Sequence, residues 1–210
     1  ARGLSAAEWS RLSKDPRHPF LNRAFMSRYP PGSVFKLVTL FAALEEGLAS
    51  PGTSIVCTGT YRVGNRTFRC WNRSGHGLVN LQRAVAESCD TFFYEMGERL
   101  GIERLLKAVQ ILGLDGKTGI DLPAEIPSIS PGPAWKKEHF GTAWYTGDTI
   151  NVAIGQGFIN TTPLGLAVAT AAIANGGKVV TPQVVKSIEG ASRSPIPAPL
   201  EVKKVRSLQV

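Results

Sequence analysis

Ser33 and Lys36 lie three residues apart, where a proline–glycine turn runs into an apolar stretch. On a helix that spacing puts both side chains on one face, one turn apart. A serine in a first helical turn sits among free backbone N–H groups and at the positive end of the helix dipole. Both stabilise an alkoxide or an oxyanion. A nearby lysine amine can take the hydroxyl proton when burial or a neighbouring cation lowers its pKa. The pair predicts acyl chemistry with Ser33 as nucleophile and Lys36 as base. Roughly one Ser-x-x-Lys arises by chance in a chain of this length, so spacing alone also fits an unremarkable surface pair. The flanking sequence favours chemistry: Tyr29-Pro30-Pro31-Gly32 stands before the pair and a strongly apolar helix pattern follows it.

A second set of reactive side chains falls within one window. Cys57, Cys70 and Cys89 are the chain's three cysteines, and His76 lies among them in a Gly-His-Gly turn. Three thiolates and an imidazole make a full tetrahedral zinc set, with ligand–ligand spacings of about 3.5–4 Å. The spacing is not that of a zinc ribbon. An oxidising compartment equally allows a Cys57–Cys70 disulfide with Cys89 a buried free thiol, and the three cysteines can also be unrelated. Three cysteines cannot all pair within one chain, which favours a structural metal.

Several elements have to position these groups. The run after Ser33 reads as a helix, with Phe35, Val38 and Phe41 on one face and Leu37, Leu40 and Leu44 on another, and Gly47 as its stop. A helix apolar nearly all round is normally buried. Leu4, Trp9 and Leu12, with Ser5 as cap, suit a short surface helix. Thr60–Val63 and Arg66–Arg69 around Gly64-Asn65 read as a hairpin. Residues 81–87, 90–100 and 102–112 read as helices, with Phe92, Phe93, Met96 and Leu100 as a stripe. Residues 113–147 read as loop-rich. Thr162-Pro163 opens a second apolar helix over 164–174, expected to pack on the first. A strand is expected within 178–188. The chain then turns polar and proline-rich from Gly190, and an ordered pattern resumes over 200–210.

The chain has 210 residues, enough for one domain, with 43% hydrophobic and 19% charged residues and a net charge of +8. The basic residues are scattered with few aromatics among them, which argues against nucleic acid as partner. The charge suits work beside anionic lipid or cell-wall polymer. No run is long and apolar enough to span a bilayer. The start at Ala1 without a methionine predicts a piece of something longer.

Taken together, these segments resemble the transpeptidase domain of class B penicillin-binding proteins, of the elongation type. The resemblance is carried by Leu21-Asn22-Arg23-Ala24, Tyr29-Pro30-Pro31-Gly32-Ser33-Val34-Phe35-Lys36, Gly75-His76-Gly77, Ser88-Cys89-Asp90-Thr91-Phe92-Phe93-Tyr94, Thr118-Gly119-Ile120-Asp121-Leu122-Pro123, Trp144-Tyr145-Thr146-Gly147-Asp148-Thr149 and Ile154-Gly155-Gln156-Gly157. They run in the family's order across about residues 18–190. The resemblance implies an α/β serine β-lactamase and penicillin-binding transpeptidase fold. Within it, residues 1–210 are a partial domain: its helical middle, mainly α with a small β-hairpin, lacking most of the central sheet. It implies Ser33 and Lys36 as nucleophile and base. Ser88 would pass protons between Lys36 and the leaving amine, and Asp90 would hold the lysine and the substrate peptide. Ordinary helix capping by Ser88 or Asp90 is a parallel expectation. The family's third motif, Lys-Thr-Gly on an edge strand, is expected beyond this chain's end. Lys117-Thr118-Gly119 is a decoy, since it follows a helix in a turn and runs into Ile120-Asp121-Leu122-Pro123.

The implied activity is D,D-transpeptidation of peptidoglycan. Ser33 takes the acyl group from a D-alanyl-D-alanine stem peptide and passes it to a neighbouring amine, and β-lactams mimic the donor. No cofactor serves the chemistry. The implied location is the extracytoplasmic (periplasmic) face of the bacterial cytoplasmic membrane, with an anchor outside this chain and a rod-complex glycan polymerase as partner. One alternative is a β-lactam sensor or a non-catalytic, zinc-stapled interaction module. A D,D-carboxypeptidase or β-lactamase ranks lower, because no glutamate motif to position a deacylating water is visible. The isolated chain is expected to be inactive and poorly soluble.

Overall fold

The computed structural model describes residues 3–185 and three short strand segments beyond them. Its centre is the longest apolar pattern in the chain. Helix α4 (Asp90–Ile111) buries Phe92, Phe93, Met96, Leu100, Leu105 and Val109. Full burial of a side chain of that size stabilises by about 2–3 kcal/mol relative to exposure. Gly101 breaks the helical dihedrals, at φ 72° and ψ 168°, so α4 is two helices joined at a kink.

Helices α2 (Lys36–Glu45) and α6 (Thr146–Ala153) pack against α4. The α4–α6 approach is close because Gly97 has no side chain: a Cβ there would lie 2.4 Å from the Ala153 Cβ. Helix α7 (Pro163–Ala174) has Thr162 as its cap, the side chain accepting from Gly165 N at 3.0 Å. It touches α2, but α2 packs chiefly on α4, so the expected pairing of the two apolar helices is a minor contact. Along α2, Val38, Phe41, Ala42 and Ala43 are buried, while Leu37, Leu40 and Leu44 are half-buried.

The strands pair two by two among the described residues, with no wide central sheet. Strands β1 (Ser54–Cys57) and β4 (Gly77–Asn80) are antiparallel, with Cys57 opposite Gly77. The expected hairpin is β2 (Thr60–Val63) with β3 (Arg66–Arg69), Val63 opposite Arg66. Strand β5 (Lys178–Val180) pairs with β8 (Val202–Lys204), and β6 (Ser187–Ile188) with β7 (Ile196–Pro197). The polar stretch from Gly190 and the pattern over 200–210 otherwise lie outside the described residues.

Two expectations are corrected. The helix after Gly32 begins as a 3-10 turn, Gly32–Phe35, before α2 proper. The loop-rich stretch 113–147 contains helix α5 (Pro133–Phe140), with proline in its first turn and left-handed Gly141 ending it. Helix α1 (Ala6–Ser13) is the expected short surface helix, with the Ser5 capping box and no buried residue; Trp9 stacks on Phe20 at its surface. Helix α3 (Leu81–Ala86) leads into α4 as expected. No helix among the described residues is long and apolar enough to cross a membrane.

Candidate active site and metal cluster

The turn that carries Ser33 is held from behind by a second turn. Gly32 N–H donates to Gly155 O at 2.9 Å, and Tyr29 bridges Thr161 on the same side. Gly155 has φ 73°, and a Cβ on it would fall 2.2 Å from Gly32 O. Only glycine allows the two backbones to meet this way. The result presents Ser33 to solvent while Phe35, two residues on, is fully buried.

Lys36, one residue further, points inward and is 4% exposed. Its Nζ donates to Asp90 Oδ1 at 2.6 Å, and to Ser88 O and Ser88 Oγ at 2.9 Å each. Ser88 Oγ in turn lies 3.1 Å from Ser33 Oγ. The four side chains singled out in the sequence therefore meet, in the order Ser33, Ser88, Lys36, Asp90. Ser88 stands between Ser33 and the lysine, its hydroxyl bonded to both. The residue has φ 51°, a left-handed conformation uncommon for serine. That conformation turns both its hydroxyl and its carbonyl toward Lys36. Neither Ser88 nor Asp90 caps α4: the cap position is Cys89, without a side-chain bond.

Trp71 joins this network without belonging to any of the motifs. Its backbone N–H donates to Asp90 Oδ2 at 2.9 Å, and its indole N–H is shared between Glu87 O and Ser88 O at 3.0 and 3.1 Å. The ring is 61% exposed and lines, with Ser33, Ser88, Asn72 and Gln156, a cavity of about 660 Å³. A lone aromatic in a loop has no periodicity to flag it. Gln156 stood in a quoted motif without an assigned role. Lys117-Thr118-Gly119 lies elsewhere, in a loop. There Thr118 N–H, Thr118 Oγ1 and Gly119 N–H all donate to the buried Glu125 carboxylate at 2.6–3.0 Å.

Cys57 ends β1, Cys70 follows β3, His76 precedes β4 and Cys89 opens α4. Their ligand atoms all lie within 4.8 Å of one another. His76 Nδ1 is 3.5 Å from Cys57 Sγ and 3.6 Å from Cys70 Sγ. All three thiols are free, so the alternative with a Cys57–Cys70 disulfide is not the one adopted. Burial raises the Cys57 thiol, but its bonds to Thr91 and His76 outweigh that and bring it down to about 6. Burial pushes Cys89 up to about 12, the neighbouring thiols adding to the effect. His76 Nε2 is buried and has no hydrogen-bond partner among the described residues, with Glu87 Oε2 3.9 Å away. Trp71 stands edge-on to the His76 ring at 5.2 Å, so the cluster abuts the Ser33 cavity.

Residues 5–209 match the penicillin binding protein transpeptidase domain. A peptidoglycan D,D-transpeptidase from Haemophilus influenzae is 39% identical over 200 residues, covering 94% of this chain and 31% of its own length. A solved structure titled for the structural coordination of polymerization and crosslinking by a peptidoglycan synthase complex superposes with a TM-score of 0.86. It is 36% identical and covers 98% of this chain and 34% of that one. The penicillin G acyl-enzyme of penicillin-binding protein A from M. tuberculosis gives 0.79 at 28% identity, over 95% of this chain and 45% of that one. The chain thus spans about a third of the length of the curated relative.

Proposed function

The chain belongs to the penicillin-binding protein transpeptidase family, and from that premise we propose that it forms part of a peptidoglycan D,D-transpeptidase domain. Its substrates are stem peptides ending in D-alanyl-D-alanine, and β-lactams act on it as donor mimics. The observation that carries this reading is the hydrogen-bonded chain from Ser33 Oγ through Ser88 Oγ to Lys36 Nζ, at 3.1 and 2.9 Å.

The chemistry follows from that order. With the lysine as free amine, Ser33 donates to Ser88 Oγ and the Ser88 proton passes to Lys36 Nζ. Ser33 Oγ adds to the carbonyl of the penultimate D-alanine. Ser33 N–H lies in the first turn, without a helical partner, and is one donor to the resulting oxyanion. Collapse breaks the peptide bond. The departing D-alanine amine takes the proton back from Lys36 through Ser88, leaving an ester on Ser33. The amine of a neighbouring stem attacks that ester, the bond to Ser33 Oγ breaks, the amine's proton passes through Lys36 and Ser88 back to Ser33 Oγ, and the cross-link forms. Asp90 holds the lysine in place and, through its second oxygen, the Trp71 backbone beside the cavity.

We also assign Cys57, Cys70, His76 and Cys89 to a structural zinc. Tetrahedral bonds of about 2.3 Å to sulfur and 2.0–2.1 Å to nitrogen require sulfur–nitrogen separations near 3.5 Å. The two separations from Nδ1 fit. The low thiol of Cys57 supplies a thiolate, and unpartnered Nε2 leaves Nδ1 as the ligand nitrogen. When bound, the ion would tie the hairpin loop to the start of α4. It takes no part in acyl transfer.

This reading implies the extracytoplasmic face of the membrane as the place of work. A glycan polymerase is the fitting partner, as polymerization and crosslinking are coordinated in the synthase complex it resembles. Lys36→Arg tests the mechanism. Guanidinium keeps the charge but stays protonated. Penicillin acylation of the full-length protein should slow by at least about 100-fold. A near-normal rate would make Lys36 a structural cation only.

A further inference from the structure

The hairpin β2–β3 joins two cavities. Trp71, just past the end of its second strand, lines the Ser33 cavity. Its tip, from Val63 to Arg66, lines another of about 520 Å³. The facing wall is Tyr145 and the first turn of α6, with Lys136 behind it. Lys136 is 7% exposed and fully committed. Its Nζ donates to Asp148 Oδ2 at 2.6 Å and sits 4.8 Å from the Tyr145 ring centre. The same carboxylate oxygen accepts from Tyr145 N–H at 2.8 Å. Tyr145 is thereby braced at its backbone and along one side of its ring, yet it remains 63% exposed. Around it, the side chains of Asn65, Arg66 and Thr146 make no hydrogen bond or ion pair among the described residues.

An exposed, braced aromatic ring edged by uncommitted polar groups matches a sugar. A pyranose has an apolar C–H face to lay on the ring and a rim of hydroxyl and acetamido groups for the polar side chains. A purely apolar ligand would desolvate Arg66 and Asn65 without partners. A small inorganic anion would make no use of the ring. One hairpin links this cavity to the Ser33 cavity, with Asn65 and Arg66 lining the one and Trp71, just past the second strand, lining the other.

We propose that the cavity between the β2–β3 tip and α6 binds the N-acetylated glycan of the donor strand. Tyr145 is the stacking platform, and Asn65, Arg66 and Thr146 are the hydrogen-bonding rim. This placement rests on Ser33 as the nucleophile toward glycan-borne stem peptides.

The test uses the full-length protein and a tetrasaccharide of β-1,4-linked N-acetylglucosamine, which carries no peptide. The wild type should bind it, Tyr145→Ala should weaken binding by about tenfold, and Tyr145→Phe, which keeps the ring, should bind within about threefold of wild type. In Tyr145→Ala the KM for a stem peptide carried on glycan should rise about tenfold relative to that for the free peptide. A wild type that labels with penicillin at Ser33 but does not bind the tetrasaccharide overturns the glycan site alone. So does unchanged binding by Tyr145→Ala, or an equal KM change for free and glycan-borne peptides. A wild type that fails to label at Ser33 overturns the nucleophile assignment beneath it.

Discussion

Lys36 Nζ lies 2.6 Å from Asp90 Oδ1, with the lysine side chain 5% exposed and the aspartate 13%. Removing one partner of a buried ion pair leaves a charge without compensation and costs about 3–5 kcal/mol. Asp90→Ala also strips the Trp71 N–H of its acceptor. We expect the unfolding transition of this domain in the full-length protein to lose about 3 kcal/mol, read from urea denaturation. A loss below about 1 kcal/mol would show that Asp90 is not what holds the lysine.

Gly155→Ala tests the support behind the nucleophile. The new Cβ would meet Gly32 O at 2.2 Å and Phe35 Cβ at 2.8 Å, so the turn carrying Ser33 has to move. Displacement of a reacting group by about 1 Å costs on the order of 100-fold in rate. Penicillin acylation should fall at least about tenfold, with Ser33 still the labelled residue. Wild-type kinetics in a folded Gly155→Ala protein would remove the bracing role of that contact.

The cysteine cluster predicts a metal with an acid-sensitive hold. Thiolates and neutral imidazole must shed protons to bind, so affinity falls as pH falls. The purified, reduced full-length protein should carry one zinc per chain by elemental analysis and lose it in mild acid or strong chelator. Because Trp71 follows Cys70 and Ser88 precedes Cys89, stripped protein should acylate more slowly while still labelling at Ser33. Metal-free protein as isolated, with all three thiols titratable and normal acylation, would exclude the assignment.

Much of this site was legible because its parts are local. The Pro-Gly turn, the helix stop at Gly47, the kink at Gly101 and the hairpin around Gly64-Asn65 each depend on neighbours in sequence. The order Ser33, Ser88, Lys36 did not. A three-residue spacing suggests direct contact, and nothing in it shows that a left-handed Ser88, 52 residues away from Lys36, enters between them. Trp71 escaped for the same reason, since its partners Asp90 and Ser88 are distant in the chain. Helix α5 was hidden by the prolines around it, although Pro133 at its first turn and Gly141 at its end are ordinary boundary signals. The convergence of Cys57, Cys70, His76 and Cys89 was expected from clustering alone, and their relative geometry required the two ribbons and the start of α4.

The central claim is that Ser33 is the acylated nucleophile. The most direct measurement is to label the full-length protein with a fluorescent penicillin and locate the adduct by peptide mass mapping. The account predicts one adduct, on the peptide containing Ser33, and none in Ser33→Ala. Label on another serine, or label that persists in Ser33→Ala, would contradict it.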